Sequence, residues 1–243
     1  MTEPDDDRPG EPVETAELTV EVLTQRLTVI RQRIEAAGGD LQRTSVLAVT
    51  KTFPVEVCRL AVDTGLVDLG ENYSQELEAK APALDRDAGR WHFIGGLQRN
   101  KIKRLASVVS VWQTMDRVAL LDELATRAPA AVVMVQVNTT DEPQKSGCAP
   151  DEAPALVEHA RELGLEVRGL MTIGPTDGSH PGPAFARLHA LAERLDVAER
   201  SMGMTGDLEI AVAEGSTMVR VGTALFGSRS LGVPSGTQRG RAG

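Results

Sequence analysis

Aromatic side chains are nearly missing from this sequence. One tyrosine, Tyr73, two tryptophans and four phenylalanines make up 3% of 243 residues, so platforms on which nucleic-acid bases could stack are scarce. Positive charge is also in deficit: Lys and Arg number 26 against 35 Asp and Glu, a net −9. A protein that grips a phosphate backbone needs a net basic face, so nucleic acid is not expected as a partner. The run Arg99 to Arg104 is the local exception, read as a solvated helix face or a docking surface. Two cysteines, Cys58 and Cys148, cannot build a disulfide framework, and no Cys or His spacing resembles a zinc site. No metal is expected. No apolar run reaches the roughly 18 residues of a membrane span, and the N-terminus lacks the basic start and apolar core of a signal peptide. A cytoplasmic chain with no membrane partner follows as the expectation, and the scarcity of exposed aromatics points to a monomer.

What the chain does have is 41% hydrophobic residues, enough to bury the core of an α/β domain of this length. Residues 1–14 combine acid, proline and glycine and read as a disordered acidic tail. From Ser228 the composition turns to Gly, Ser, Pro and Arg, and 230–243 reads as a second flexible tail. The folded domain is expected over 15–229. It opens with an amphipathic helix from Leu18 to Ala37, where Leu23, Leu27, Ile30 and Ile34 recur at three and four residue intervals before Gly38-Gly39.

From there strands and helices alternate. Predicted strands end near residues 51, 72, 95, 115, 138, 174, 204 and 223, each followed by a helical segment. The valine-rich stretch Ala131 to Asn138 is the strongest strand among them. Eight βα units over about 210 residues predict an α/β fold of the (β/α)8 TIM-barrel type, which spans ~200 residues at the short end. A doubly wound open sheet shares the alternation. Against it, no GxGxxG follows the first strand.

In a barrel the C-terminal strand ends meet on one face. There Lys51, Asn72, His92, Met115, Asn138, Met171, Ser201, Met202, Arg220, Gly222 and Thr223 would gather. Ser45-Val46-Leu47-Ala48-Val49-Thr50-Lys51 reads as a buried strand that delivers an amine to that face. A desolvated lysine becomes a nucleophile toward carbonyls, while one that snorkels to solvent does not. Ser201 and Gly222-Thr223 offer hydroxyls and close-approach backbone N–H groups after the last two strands, the usual phosphate position of barrel enzymes. Arg220, flanked by Val219 and Val221, needs an acceptor: either a carboxylate such as Glu71 or a ligand.

These stretches together resemble the pyridoxal phosphate homeostasis protein family, whose barrel is similar to the N-terminal domain of alanine racemase. The resemblance rests on Leu47-Ala48-Val49-Thr50-Lys51, Gly70-Glu71-Asn72-Tyr73, His92-Phe93-Ile94-Gly95, Lys145-Ser146-Gly147, Arg168-Gly169-Leu170-Met171, Ser201-Met202-Gly203-Met204 and Arg220-Val221-Gly222-Thr223. It covers about 18 to 229. Thr50 and Phe53 stand where the family more usually has serine and a polar residue.

The resemblance implies pyridoxal 5'-phosphate (PLP) as cofactor, held as a Schiff base on Lys51. Ser201, Gly222 and Thr223 would hold the phosphate, Arg220 would face the pyridine nitrogen, and Asn72 and Met202 would line the site. It implies intracellular buffering or delivery of PLP, with PLP-dependent apoenzymes as acceptors and no catalytic residue. Guanidinium only donates, so the ring nitrogen it meets is an unprotonated acceptor and a weak electron sink. A racemase would also need a base on the opposite face, and no second domain is expected after Thr223 to supply one. Weak amino-acid racemisation and a phosphosugar aldolase acting through Lys51 are the rival readings.

Overall fold

The computed structural model describes residues 18–85 and 88–227. Both expected tails lie outside the described residues. The chain runs α1 (Val20–Ala36), β1 (Ser45–Val49), α2 (Val55–Asp63), β2 (Asp68–Glu71), α3 (Ser74–Lys80) with a 3-10 turn (Ala81–Ala83), β3 (Arg90–Phe93), α4 (Arg99–Leu105) and β4 (Val109–Met115). The second half continues with α5 (Val118–Arg127), β5 (Val132–Gln136), α6 (Ala153–Glu162), β6 (Glu166–Met171), α7 (Gly182–Arg194), β7 (Glu199–Ser201), α8 (Leu208–Ala213), β8 (Met218–Val221) and α9 (Thr223–Phe226). Neighbouring strands pair in parallel, and β8 closes onto β1 through Ala48↔Val221. The eight-stranded closed barrel is therefore present, with an additional helix, α1, preceding β1 in the chain. No helix among the described residues is long and apolar enough to cross a membrane.

Strand parity separates two kinds of core. Ala48, Leu69, Phe93, Trp112, Val133, Val135, Leu170, Val219 and Val221 face the helices and belong to one large apolar cluster. The alternate residues point inward, where Val111, Met134 and Met171 form a small cluster of their own. Gly70 faces inward against Leu47 and Ile94, whose side chains stand 3.1 to 3.3 Å from where a Cβ would lie. Unlike the outer layer, the barrel interior is partly polar: His92, Gln113, Ser201 and Arg220 are all buried.

Helix α1 is held in the fold by packing. Thr19 caps it, accepting from the Val22 N–H. Leu23, Leu27, Ile30 and Ile34 are fully buried, each contributing about 1.5–3 kcal/mol as an upper estimate. That outweighs its half-exposed ion pair Arg33–Glu209, a class worth at most ~1 kcal/mol.

At the N-terminal end of the barrel, Arg90 makes two bonds to Asp68, at 2.7 and 2.8 Å, and His92 Nε2 meets the same carboxylate at 3.1 Å. Burial opposes ionisation of Asp68, but these bonds outweigh it and hold the carboxyl at about 2, against 3.8 normally. The unfolded chain binds more protons between those values, so this contribution is complete above pH 4 and is lost as pH falls toward 2. The difference is worth about 2 kcal/mol. Asp68→Asn is expected to lower stability by that amount at pH 7 and by much less at pH 2.5; urea unfolding at both values checks it, and equal losses at both would contradict the assignment.

Candidate functional site

Lys51 follows β1 with the same parity as the inward residues Leu47 and Val49 and is half-buried. The turn that carries it is pinned from one side by a charged clamp. Lys80 Nζ, at the end of α3, donates to the Thr50 carbonyl at 2.8 Å, to Glu71 Oε1 at 2.6 Å and to Glu76 Oε2 at 2.9 Å. Thr50 Oγ1 adds a 2.7 Å bond to Glu71 Oε1. Glu76 also accepts from the N–H of Thr52, which sits at φ +65. Burial alone would lower the Lys80 pKa, yet Glu71 and Glu76 more than offset it, so the ammonium is held charged. Burial pushes the Glu71 carboxyl up, with Lys80 opposing.

Glu71 therefore serves Lys80, and Arg220 finds other acceptors. Its Nη1 donates to the Ser201 carbonyl at 2.7 Å and to Ser201 Oγ at 2.9 Å, and Nη2 donates to the Thr172 carbonyl at 2.7 Å. All three acceptors are neutral. Burial lowers the Arg220 pKa to about 10, with Asp207 opposing through space, so the guanidinium remains charged at neutral pH. A buried cation bonded to neutral oxygens favours a further acceptor from a ligand.

Two of the expected ligand contacts, Ser201 and Met202, have protein partners of their own. Ser201 is fully buried below the mouth, accepting from Arg220 and donating to Gln113 Oε1 at 2.7 Å. Its proton thus goes to Gln113. Met202 lies one position further along and by strand alternation turns outward into the cluster between sheet and helices. Met115 is likewise buried in that outer cluster, because an irregularity in the pairing of β4 with β5 falls between Trp112 and Met115.

Gly222 and Thr223 stand at the start of α9, beside β1: a Cβ on Gly222 would lie 3.3 Å from the Val49 carbonyl. This close approach places the Gly222-Thr223 turn one strand over from Lys51. The loop after β7 reaches it through Gly203, whose φ is +91 and whose Cβ would fall 2.4 Å from that of Ala211. The Gly203 carbonyl in turn accepts from the Arg220 N–H at 2.9 Å. Gly203→Ala is expected to destabilise the protein by about 2–3 kcal/mol, strain and overpacking together; a chemical-denaturation midpoint equal to wild type would refute that.

Helix α1 braces the same region, a role that its amphipathic pattern does not announce. Arg26 donates to the Leu225 carbonyl and Arg33 to the Thr205 carbonyl, both at 2.9 Å. The lysine clamp is equally silent in the sequence, where only the i, i+4 spacing of Glu76 and Lys80 hints at it.

Asn72 is half-buried at the end of β2, with its backbone packed so closely on Gly95 that a Cβ there would fall 2.0 Å from the Asn72 carbonyl. Asn138 instead ties down its own loop through the Glu142 carbonyl. Lys145 pairs with Glu142 and bonds the Gly174 carbonyl, joining the loops after β5 and β6. Tyr73 is half exposed. Cys58 and Cys148 are buried free thiols, pushed up to about 11 and about 12 chiefly by desolvation, which keeps both unreactive.

The profile of the family described as "Alanine racemase, N-terminal domain" matches residues 22–230. A pyridoxal phosphate homeostasis protein of Pseudomonas aeruginosa is 43% identical over 215 residues, 85% of this chain and 94% of that protein. One from Escherichia coli is 36% identical over 228 residues, covering 85% and 97%. The solved structure of PipY from Synechococcus elongatus with PLP bound superposes with a TM-score of 0.75 at 30% identity, covering 84% of this chain and all of that one.

Proposed function

The chain belongs to the alanine racemase N-terminal domain family, among the pyridoxal phosphate homeostasis proteins, and from that membership we propose that it binds PLP at the C-terminal mouth of its barrel and buffers or delivers it. The observation that carries this reading is Arg220: a buried guanidinium with neutral protein acceptors, under the strand ends that bear Lys51, Gly222 and Thr223. The donor set fits the cofactor. Lys51 would capture the aldehyde as a Schiff base, the Gly222-Thr223 turn would take the phosphate, Asn72 would wall the ring, and Arg220 would donate to the pyridine nitrogen. Ser201 is assigned to Arg220 in this reading and not to the phosphate.

Bound PLP supplies an electrophilic aldehyde and an electron-withdrawing ring. Arg220 limits the second property, because a group that only donates leaves the ring nitrogen unprotonated. The Lys80 clamp fixes the backbone from which Lys51 projects. Both features favour capture over turnover, with PLP-dependent apoenzymes as acceptors.

The test is direct: the purified protein is incubated with PLP, dialysed and scanned in the visible range. A retained chromophore is expected. A colourless protein overturns the reading, and a sugar trapped by borohydride on Lys51 would instead make it an aldolase. Exchange of the α-proton of alanine or serine in deuterated water, dependent on Lys51, would identify a racemase.

A further inference from the structure

A single file of buried polar groups runs along the barrel axis from Arg220 to the opposite end. Arg220 Nη1 donates to Ser201 Oγ at 2.9 Å, Ser201 Oγ to Gln113 Oε1 at 2.7 Å, and Gln113 Nε2 to His92 Nδ1 at 2.8 Å. His92 Nε2 then meets Asp68 Oδ1 at 3.1 Å, and Arg90 holds that carboxylate from outside. Ser201 and Gln113 are 0% exposed and His92 2%. The two ends fix the outer bonds, because guanidinium can only donate and carboxylate can only accept. The Ser201 hydroxyl, which donates to Gln113 Oε1, sets the inner ones: the Gln113 amide nitrogen then faces His92, and we infer that His92 accepts on Nδ1 and carries its proton on Nε2. The reverse amide orientation would take the acceptor away from the serine proton.

We propose that Gln113 and His92 are positioning residues for Arg220: they hold the Ser201 hydroxyl in the orientation that accepts from the guanidinium, and so aim its remaining donors at the ligand ring. The ligand half of this statement rests on the PLP reading above; the chain of bonds does not.

The test uses Gln113→Met, similar in volume but unable to relay the bonds, beside wild type. With PLP bound, the variant is expected to show a shifted visible band and about tenfold faster PLP loss on dilution, the scale of one charge-assisted bond. Without PLP, nuclear magnetic resonance should show wild-type His92 protonated at Nε2 and a moved Arg220 Nε–Hε signal in Gln113→Met. A variant with wild-type melting, band and release rate overturns the proposal, as does wild-type His92 protonated at Nδ1. Should wild type fail to hold PLP, the PLP reading falls, and an Arg220 signal unmoved by Gln113→Met overturns the positioning role on its own. Should Gln113→Met fail to fold, the wild-type His92 tautomer decides.

Discussion

Lys51→Ala is expected to abolish the retained chromophore of the PLP-treated protein while leaving its thermal unfolding close to wild type. The side chain is half-buried at the barrel mouth, outside the apolar clusters that hold the domain together, so its loss opens no core cavity. The amine is the only element of the proposed site that can bond covalently to an aldehyde. Gly222, Thr223 and Arg220 would still offer hydrogen bonds to phosphate and ring. Residual non-covalent binding is therefore expected, weakened by at least tenfold, or about 1.4 kcal/mol. Equilibrium dialysis against PLP, with the spectrum read before and after, measures both effects. A variant that keeps the wild-type band would place the capture elsewhere and remove the case for β1 as the organising strand of the site.

Lys80→Met should destabilise the fold more than Asp68→Asn or Gly203→Ala. The ammonium is 8% exposed and the Glu71 side chain 0%. Among the described residues Glu71 Oε2 has no hydrogen-bond partner, so Lys80 supplies most of what keeps that carboxylate ionised. Removing one member of a buried pair typically costs 3–5 kcal/mol. An independent bound agrees: the stranded carboxyl can escape by taking a proton, and from a normal value of 4.5 that costs about 3.4 kcal/mol at pH 7, at 1.36 kcal/mol per unit. The sign follows. In the variant the folded-state carboxyl titrates well above 4.5, so the folded state binds the extra proton and stability falls as pH rises above the unfolded value. The deficit should therefore be about 3 kcal/mol at pH 7 and shrink toward pH 5, and Glu71→Gln in the same chain should recover much of it. Denaturant unfolding at the two pH values reads this out; a pH-independent deficit would mean that the clamp is not ionic. Because Lys80 also bonds the Thr50 carbonyl, PLP should leave the variant faster than wild type.

The alternation of βα units is legible in the sequence because the barrel strands are short apolar runs bounded by helix starts and glycine stops. The strands themselves end two or three residues earlier than composition suggests, at Val49, Phe93, Gln136, Met171, Ser201 and Val221, since apolar and small residues continue past the last ladder bond into the loops. Side-chain direction is far less legible. Ser201 and Met202 are adjacent and both look like ligand contacts, yet period-2 geometry sends one into the barrel beneath Arg220 and the other out to the helices. Glu71 is a plausible partner for Arg220 by residue type and belongs to Lys80 instead. No pattern in one sequence reveals which of two buried cations a carboxylate meets, because the partners are brought together only when the barrel closes.

From sequence alone, then, come the fold class, the order of eight βα units, a lysine just after β1 and an arginine on β8, all consequences of local hydrophobic periodicity and chain length. What tertiary structure decides is where the polar groups find their partners: a lysine clamp that fixes the turn bearing Lys51, an N-terminal helix that braces the loop after β7 and helix α9, and a file of bonds from Arg220 to Asp68. These depend on closure between strands far apart in the chain and on the requirement that every buried donor find an acceptor, a condition that is met in three dimensions and leaves no period in the sequence.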